Sequence, residues 1–202
     1  MTKVKICGVT TVVDARMAAA AGADAIGINF SPRSLRRVTV DVAAAIAAAL
    51  PSYVCRVGVF VDATRDEVAA TAAQVGLDAL QFHGDESIAL CAGWDRKTIK
   101  AVRVRDGGAL ALAAAYAVDF ILADAYVEGS PGGTGQRVPL EWLTAVPPDR
   151  LILAGGLTAD NVAAAIRAVR PAMVDVASGV ESAPGRKDPE KVERFIANAR
   201  VA

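Results

Sequence analysis

Short runs rich in Val and Ile alternate with longer, alanine-rich amphipathic stretches, eight of each, from one end of this 202-residue chain to the other. The apolar runs are Val4 to Cys7, Ala25 to Phe30, Cys55 to Val61, Ala79 to Phe82, Thr98 to Val104, Phe120 to Ala123, Leu151 to Ala154 and Met173 to Ala177. Helical patterns fill the gaps: Val12 to Ala21, Val40 to Leu50, Arg65 to Val75, Glu86 to Ala92, Gly108 to Tyr116, Leu140 to Thr144, Asp160 to Val169 and Pro189 to Ala199. Strands that read as continuously apolar are buried on both faces, and helical crossovers make them parallel. Eight such units in one domain predict a closed (β/α)8 TIM barrel, with an open doubly wound sheet as the competitor. Gly22-Ala23-Asp24-Ala25 and Gly76-Leu77-Asp78-Ala79 echo each other ahead of the second and fourth strands, each supplying a helix-ending glycine and a polar turn.

Composition narrows the function. The 22 basic and 22 acidic residues cancel without forming blocks, so there is no electrostatic footprint for nucleic acid or an anionic membrane. A small-molecule partner is the better expectation. The longest apolar run, Ala109 to Val118, falls short of the roughly 18 residues needed to span a bilayer, and Lys3 and Lys5 make the start unlike a signal peptide. A cytoplasmic location is expected. Cys7, Cys55 and Cys91 are odd in number, lack metal-ligand spacing and share the chain with a single histidine, His83, which predicts neither a disulfide framework nor a metal site. Cys55 and Cys91 are read as packing residues.

Cys7 differs. It ends the first strand and precedes Gly8, which permits a sharp turn, while Thr11 and Asp14 read as a capping box for the next helix. The carboxyl ends of parallel strands are where such folds place ligands. Asp124 follows the sixth strand and therefore faces the same mouth, so a thiol base and a carboxylic acid are candidates for a pair of proton transfers. A helix or loop cap is the bland alternative for Asp124. A free thiol is only about 3% thiolate at neutral pH, and reaching half requires about 2 kcal/mol of preferential stabilisation. No source for it is visible in the sequence.

Three glycine-containing turns follow the last three strands: Gly132-Gly133-Thr134-Gly135, Gly155-Gly156-Leu157-Thr158 and Ser178-Gly179-Val180-Glu181. Backbone N–H groups converging there would cradle a phosphate, with Gly133, Thr134, Gly135, Gly155, Gly156, Ser178 and Gly179 as the candidates. Glycine also simply punctuates turns. The irregular stretch from Asp124 to Gly135 is a candidate substrate loop. Arg36, among the arginines of Ser31-Pro32-Arg33-Ser34-Leu35-Arg36-Arg37-Val38, presents a fork suited to a carboxylate, although any one arginine in such a loop is commonly a solvated charge. His83 ends the fourth strand at the depth of the site, where substrate contact and a structural hydrogen-bonding role are equally compatible with its position.

These residues, taken with KICG at 5 to 8, GADAIG at 22 to 27, VGVFV at 57 to 61, QFHGDE at 81 to 86, YVEGSPGGTG at 126 to 135, LAGGLTADNV at 153 to 162, VDVASGVE at 174 to 181 and PGRKD at 184 to 188, resemble the phosphoribosylanthranilate isomerase family of tryptophan biosynthesis. The resemblance runs essentially the full length. It implies an aldose–ketose isomerase that carries out an Amadori rearrangement without a cofactor, with Cys7 as general base and Asp124 as general acid. It also implies that Arg36 binds the anthranilate carboxylate, that Asp175 contacts the sugar and that the glycine turns hold the phosphate. Ala123 stands where the family often has leucine, a packing change beside the acid. Two rivals remain at this point: the histidine-pathway isomerase, which uses two aspartates for the same rearrangement, and a non-catalytic barrel that binds phosphorylated ligands. Monomer and homodimer are both compatible with a barrel this small.

Overall fold

Eight parallel strands close on themselves in the computed structural model, which describes residues 1–104, 106–113, 115–124 and 140–202. They are β1 (Lys3–Cys7), β2 (Ala25–Asn29), β3 (Cys55–Phe60), β4 (Ala79–Phe82), β5 (Lys97–Arg103), β6 (Phe120–Asp124), β7 (Leu151–Ala154) and β8 (Met173–Val176). Closure is made by β8 against β1, where Lys3 registers with Met173 and Ile6 with Val176. Helices α1 (Val12–Ala20), α2 (Val40–Ala49), α3 (Arg65–Val75), α4 (Ile88–Cys91), α5 (Gly107–Ala113), α6 (Leu140–Leu143), α7 (Val162–Val169) and α8 (Pro189–Arg200) follow their strands in turn. This is the (β/α)8 barrel that the alternation predicts; the open sheet is excluded.

Strand periodicity sorts the apolar side chains into two separate cores. Ala25, Val57, Ala79, Ile99, Ala101, Leu122, Ile152 and Ala154 fill the barrel interior. Their alternates, including Val4, Ile6, Ile26, Ile28, Leu80, Phe82, Ile121 and Val174, pack outward against the helices. Several interior positions are alanine. That leaves room inside the barrel for the polar side chains that share it, above all Lys5 and Gln81, both fully buried.

The glycine–aspartate echo has a structural meaning. Asp24, one residue before β2, accepts a hydrogen bond from the Val4 amide at 2.7 Å, and Asp78, one residue before β4, accepts one from the Arg56 amide at 2.8 Å. Asp119, one residue before β6, does the same for Thr98 at 2.9 Å. Each carboxylate ties the second residue of the preceding strand to the strand beside it, so the repeat sets register at the floor of the barrel. Gly76 ends α3 in the left-handed region at φ 72°, as its place in the echo predicts.

Some boundaries differ from the sequence reading. Thr11 caps α1 by accepting from the Asp14 amide, but the second half of the expected capping box is absent: the Asp14 carboxylate instead accepts from the Lys187 amide across the barrel rim. α4 begins at Ile88 behind the Ser87 cap, because Glu86 is drawn into the core by Lys100 and by the Gly84 and Asp62 amides. A two-stranded ribbon, β9 (Glu181–Ala183) with β10 (Arg186–Lys187), lies beyond β8 where only a turn is predicted. Cys55 and Cys91 are packing residues as expected, and burial pushes both thiols up to about 11. No helix among the described residues is long and apolar enough to cross a membrane.

Candidate active site

The strand alternation decides what faces the mouth. Lys5 registers with Ala25, an interior residue, so Lys5 and Cys7 point into the barrel while Val4 and Ile6 point out. The same count carries Gln81 and His83 inward from Ala79, and Asp124 inward from Leu122. Cys7 and Asp124 are therefore brought to one mouth, at the carboxyl ends of β1 and β6.

Around Cys7 the backbone is shaped by two glycines. Gly8 turns at φ 70°, and its amide and that of Val9 both donate to the Gly27 carbonyl, which fixes the chain where it leaves β1. A Cβ on Gly27 would stand 2.7 Å from Cys7 Sγ and 3.0 Å from Lys5 Nζ. Glycine is required there because the thiol and the ammonium converge on that point. Cys7 is 9% exposed. Burial pushes its thiol up; Lys5 and Lys187 pull it down, Asp175 pushes it further up, and the balance leaves it above the ordinary cysteine value.

Lys5 Nζ donates to Asp175 Oδ1 at 2.8 Å in a buried ion pair, with Lys5 fully enclosed and the Asp175 side chain 9% exposed. Burial works against the ammonium, but the Asp175 carboxylate and Cys7 outweigh it and hold Lys5 above its ordinary value. Arg36 lies across Gly8, where a Cβ would meet its Cδ, and its Nε and Nη2 form a bidentate pair with Glu181 at 2.8 and 2.6 Å. That pair raises Arg36. Lys187 Nζ donates to the same carboxylate at 2.9 Å and to the Ala177 carbonyl at 3.1 Å. Burial pushes Glu181 up, yet Arg36 and Lys187 outweigh it and hold the carboxyl below its ordinary value.

That shift sets an acid limit on stability. A carboxyl with a depressed folded pKa lends stability that is full above its unfolded value and is lost as pH falls through its folded one. Urea unfolding midpoints should therefore fall as pH drops below about 4.5, the ordinary glutamate value, and Glu181→Gln should flatten that dependence. Midpoints of the variant that track wild type across the same window would show that the Glu181 pair is not responsible.

On the far side of the mouth, His83 Nε2 lies 3.4 Å from Asp124 Oδ2, and its Nδ1 meets Gln81 Nε2 at 2.9 Å. Two clefts of about 490 and 430 Å³ meet at His83 and Arg103; Tyr116 and Lys100 line the first, Asn29, Ser31 and Asp62 the second. After β7, Gly155 and Gly156 take φ 85° and 62°, and Ser178–Val180 forms a tight turn after β8. The turns touch: a Cβ on Gly179 would stand 1.9 Å from the Leu157 carbonyl oxygen. Gly133, Thr134 and Gly135 lie outside the described residues.

A profile of the N-(5'-phosphoribosyl)anthranilate isomerase family matches residues 4–198. The chain belongs to that family. It is 52% identical over 203 residues to the N-(5'-phosphoribosyl)anthranilate isomerase of Citrifermentans bemidjiense, covering 99% of this chain and 98% of that one. The crystal structure of phosphoribosyl anthranilate isomerase from Thermotoga maritima superposes with a TM-score of 0.93 at 39% identity over the whole of both chains. A phosphoribosyl anthranilate isomerase in complex with reduced 1-(o-carboxyphenylamino)-1-deoxyribulose 5-phosphate superposes at 0.88, with 38% identity over the whole of both chains.

Sequence reasoning singles out Cys7, Asp124, Arg36, His83 and Asp175, and all five lie at the carboxyl end of the barrel. It misses Lys5, Gly27, Glu181 and Lys187. The pattern Lys3-Val4-Lys5-Ile6-Cys7 carries the signal for one of them, because period two puts Lys5 on the same face as Cys7.

Proposed function

We propose that this chain catalyses the Amadori rearrangement of N-(5-phospho-β-D-ribosyl)anthranilate to 1-(2-carboxyphenylamino)-1-deoxy-D-ribulose 5-phosphate, a step of tryptophan biosynthesis. The observation that carries the reading is the pairing of an inward-facing thiol at the end of β1 with an inward-facing carboxyl at the end of β6, in a chain of this family. Asp124 protonates the furanose ring oxygen. The C1–O bond breaks, and the anilino nitrogen lone pair closes a protonated Schiff base. The Cys7 thiolate then removes the proton from C2, the electron pair flows to nitrogen, and the enolamine tautomerises to the ketone, C1 gaining a proton as the C2 hydroxyl loses one; exchange with solvent returns the Cys7 thiol and the Asp124 carboxylate to their starting states. The chemistry requires the two groups to begin in opposite protonation states.

The remaining residues bind. Glu181 holds the Arg36 fork by Nε and Nη2, and among the described residues Nη1 has no hydrogen-bond partner, which leaves it for the anthranilate carboxylate. Asp175 and His83 contact the sugar from opposite sides of the mouth, and Gly155, Gly156, Ser178 and Gly179, with Gly133, Thr134 and Gly135, receive the phosphate. The working protein is a single-domain cytoplasmic enzyme, monomer or homodimer, that takes a small phosphorylated substrate. Freshly prepared phosphoribosylanthranilate should lose its fluorescence on addition of catalytic amounts of the protein. A protein that leaves that signal at the uncatalysed rate returns the choice to the histidine-pathway or binding-module readings.

A further inference from the structure

The groups around Cys7 do not balance. Lys5 from β1, Arg36 from the loop after β2 and Lys187 from β10 are cations; Asp175 from β8 and Glu181 from β9 are the anions that hold them. Lys5, Lys187, Asp175 and Glu181 are all buried, and Arg36 is a quarter exposed at its side chain. Three positive charges therefore share two carboxylates in this set; at its more exposed edge Asp14 accepts from the Lys187 amide and Lys191 Nζ donates to the Glu181 carbonyl, which adds one charge of each sign and leaves the excess unchanged. An uncompensated buried charge is costly, so such a cluster favours one further negative charge within reach. Cys7 Sγ is the group placed to supply it, since Sγ and Lys5 Nζ converge above Gly27.

We propose that Lys5 is a positioning residue that supplies the counter-charge for the Cys7 thiolate, with Asp175 fixing its ammonium group and limiting its strength, while Lys187, held by Glu181 beside Arg36 and the Gly8 turn, adds to the same positive field from farther off. This inference rests on the reading of Cys7 as the base that deprotonates C2. It identifies the source of thiolate stabilisation that the strand sequence does not reveal. Burial pushes the thiol up, and the two lysines act against that push while Asp175 moderates them. His83 and Asp124 sit across the mouth as a separate pair, with neighbours different from those of Cys7.

The competing use of the excess charge is to bind a substrate anion. Titration of the unliganded protein separates the two. Alkylation of Cys7 by iodoacetamide, followed on the Cys7 peptide by mass spectrometry, gives a thiol midpoint without substrate. Lys5→Gln should raise that midpoint by about 1–3 units, Lys187→Gln should raise it by less, and Asp175→Asn should lower it. Lys187→Gln keeps an amide donor for Ala177 and Glu181, and Asp175→Asn shifts the midpoint in the opposite direction, which general loosening of the fold does not explain. In turnover, the low-pH limb of kcat for the two lysine variants should move up with the thiol, so that activity lost at neutral pH returns on the alkaline side. Midpoints unchanged in all three variants, with KM raised instead, would assign the excess charge to the substrate and overturn the proposal. Shifted midpoints in a protein that does not turn over phosphoribosylanthranilate would leave the charge assignment standing and remove the proposed function.

Discussion

Cys7→Ser is expected to lower kcat by about 10²–10⁴-fold while leaving binding of reduced 1-(o-carboxyphenylamino)-1-deoxyribulose 5-phosphate within a few-fold of wild type, and Asp124→Asn is expected to do the same. The two side chains reach the mouth from β1 and β6, on different sides of the barrel. Neither is part of the glycine turns after β7 and β8 that would hold the phosphate. Removing either proton carrier therefore leaves affinity and removes chemistry. Serine fills the same small space above Gly27 but its hydroxyl stays protonated where a thiol ionises, so Lys5 has no thiolate to stabilise. Asparagine keeps the shape of Asp124, yet its amide has no acidic proton to transfer to the ring oxygen. The measurements are steady-state fluorescence kinetics and equilibrium binding of that ligand on the same preparations. Turnover near wild type in either variant would remove that residue from the mechanism, and lost binding with unchanged kcat would recast it as a ligand contact.

The fold was legible because it rests on periodicity and turn chemistry, which are local. Eight strand patterns and eight helix patterns appear in order, and even the short Gly-x-Asp echo marked positions where a carboxylate ties one strand to the next. Cys7 and Asp124 were legible for the same reason, since the end of a parallel strand is a position that local sequence defines. The electrostatic surroundings were less so. Lys187 and Glu181 join this region because the β9–β10 ribbon folds back onto the turn and helix after β1, where Thr10 Oγ1 donates to the Gly185 carbonyl and the Lys187 amide to Asp14. That contact spans most of the chain in sequence. The sequence presents Arg36 as a fork suited to a carboxylate or as a solvated loop charge, and neither reading anticipates Glu181, also distant in sequence, which holds two of its donor nitrogens. Lys5 lay within sight of a strict period-two reading, but in an apolar run it reads as an edge charge until Asp175 is seen opposite. Gly27 needed the three-dimensional position of two side chains on a neighbouring strand.

Gly179→Ala should act on the other half of the site, raising KM for the phosphorylated substrate about tenfold or more with a much smaller change in kcat. The added Cβ would stand 1.9 Å from the Leu157 carbonyl oxygen and 3.2 Å from Val176 Cγ2. A backbone oxygen cannot swing aside like the end of a long side chain, so the turn after β7 or the turn after β8 has to move by about 1 Å. Overpacking of this kind costs about 1–3 kcal/mol of stability and spreads the very turns whose amides are proposed to converge on phosphate. Cys7 and Asp124 stand on other strands and keep their geometry, which is why the loss falls on binding. Gly156→Ala is the contrasting case. Its Cβ would meet nothing within 4 Å, so only the cost of φ 62° remains, about 1–2 kcal/mol, and the effect on KM should be the smaller of the two. Competitive inhibition by inorganic phosphate should weaken in step with KM in Gly179→Ala. A folded Gly179→Ala enzyme with wild-type KM and wild-type phosphate inhibition would separate these turns from phosphate recognition and leave their contact as packing alone.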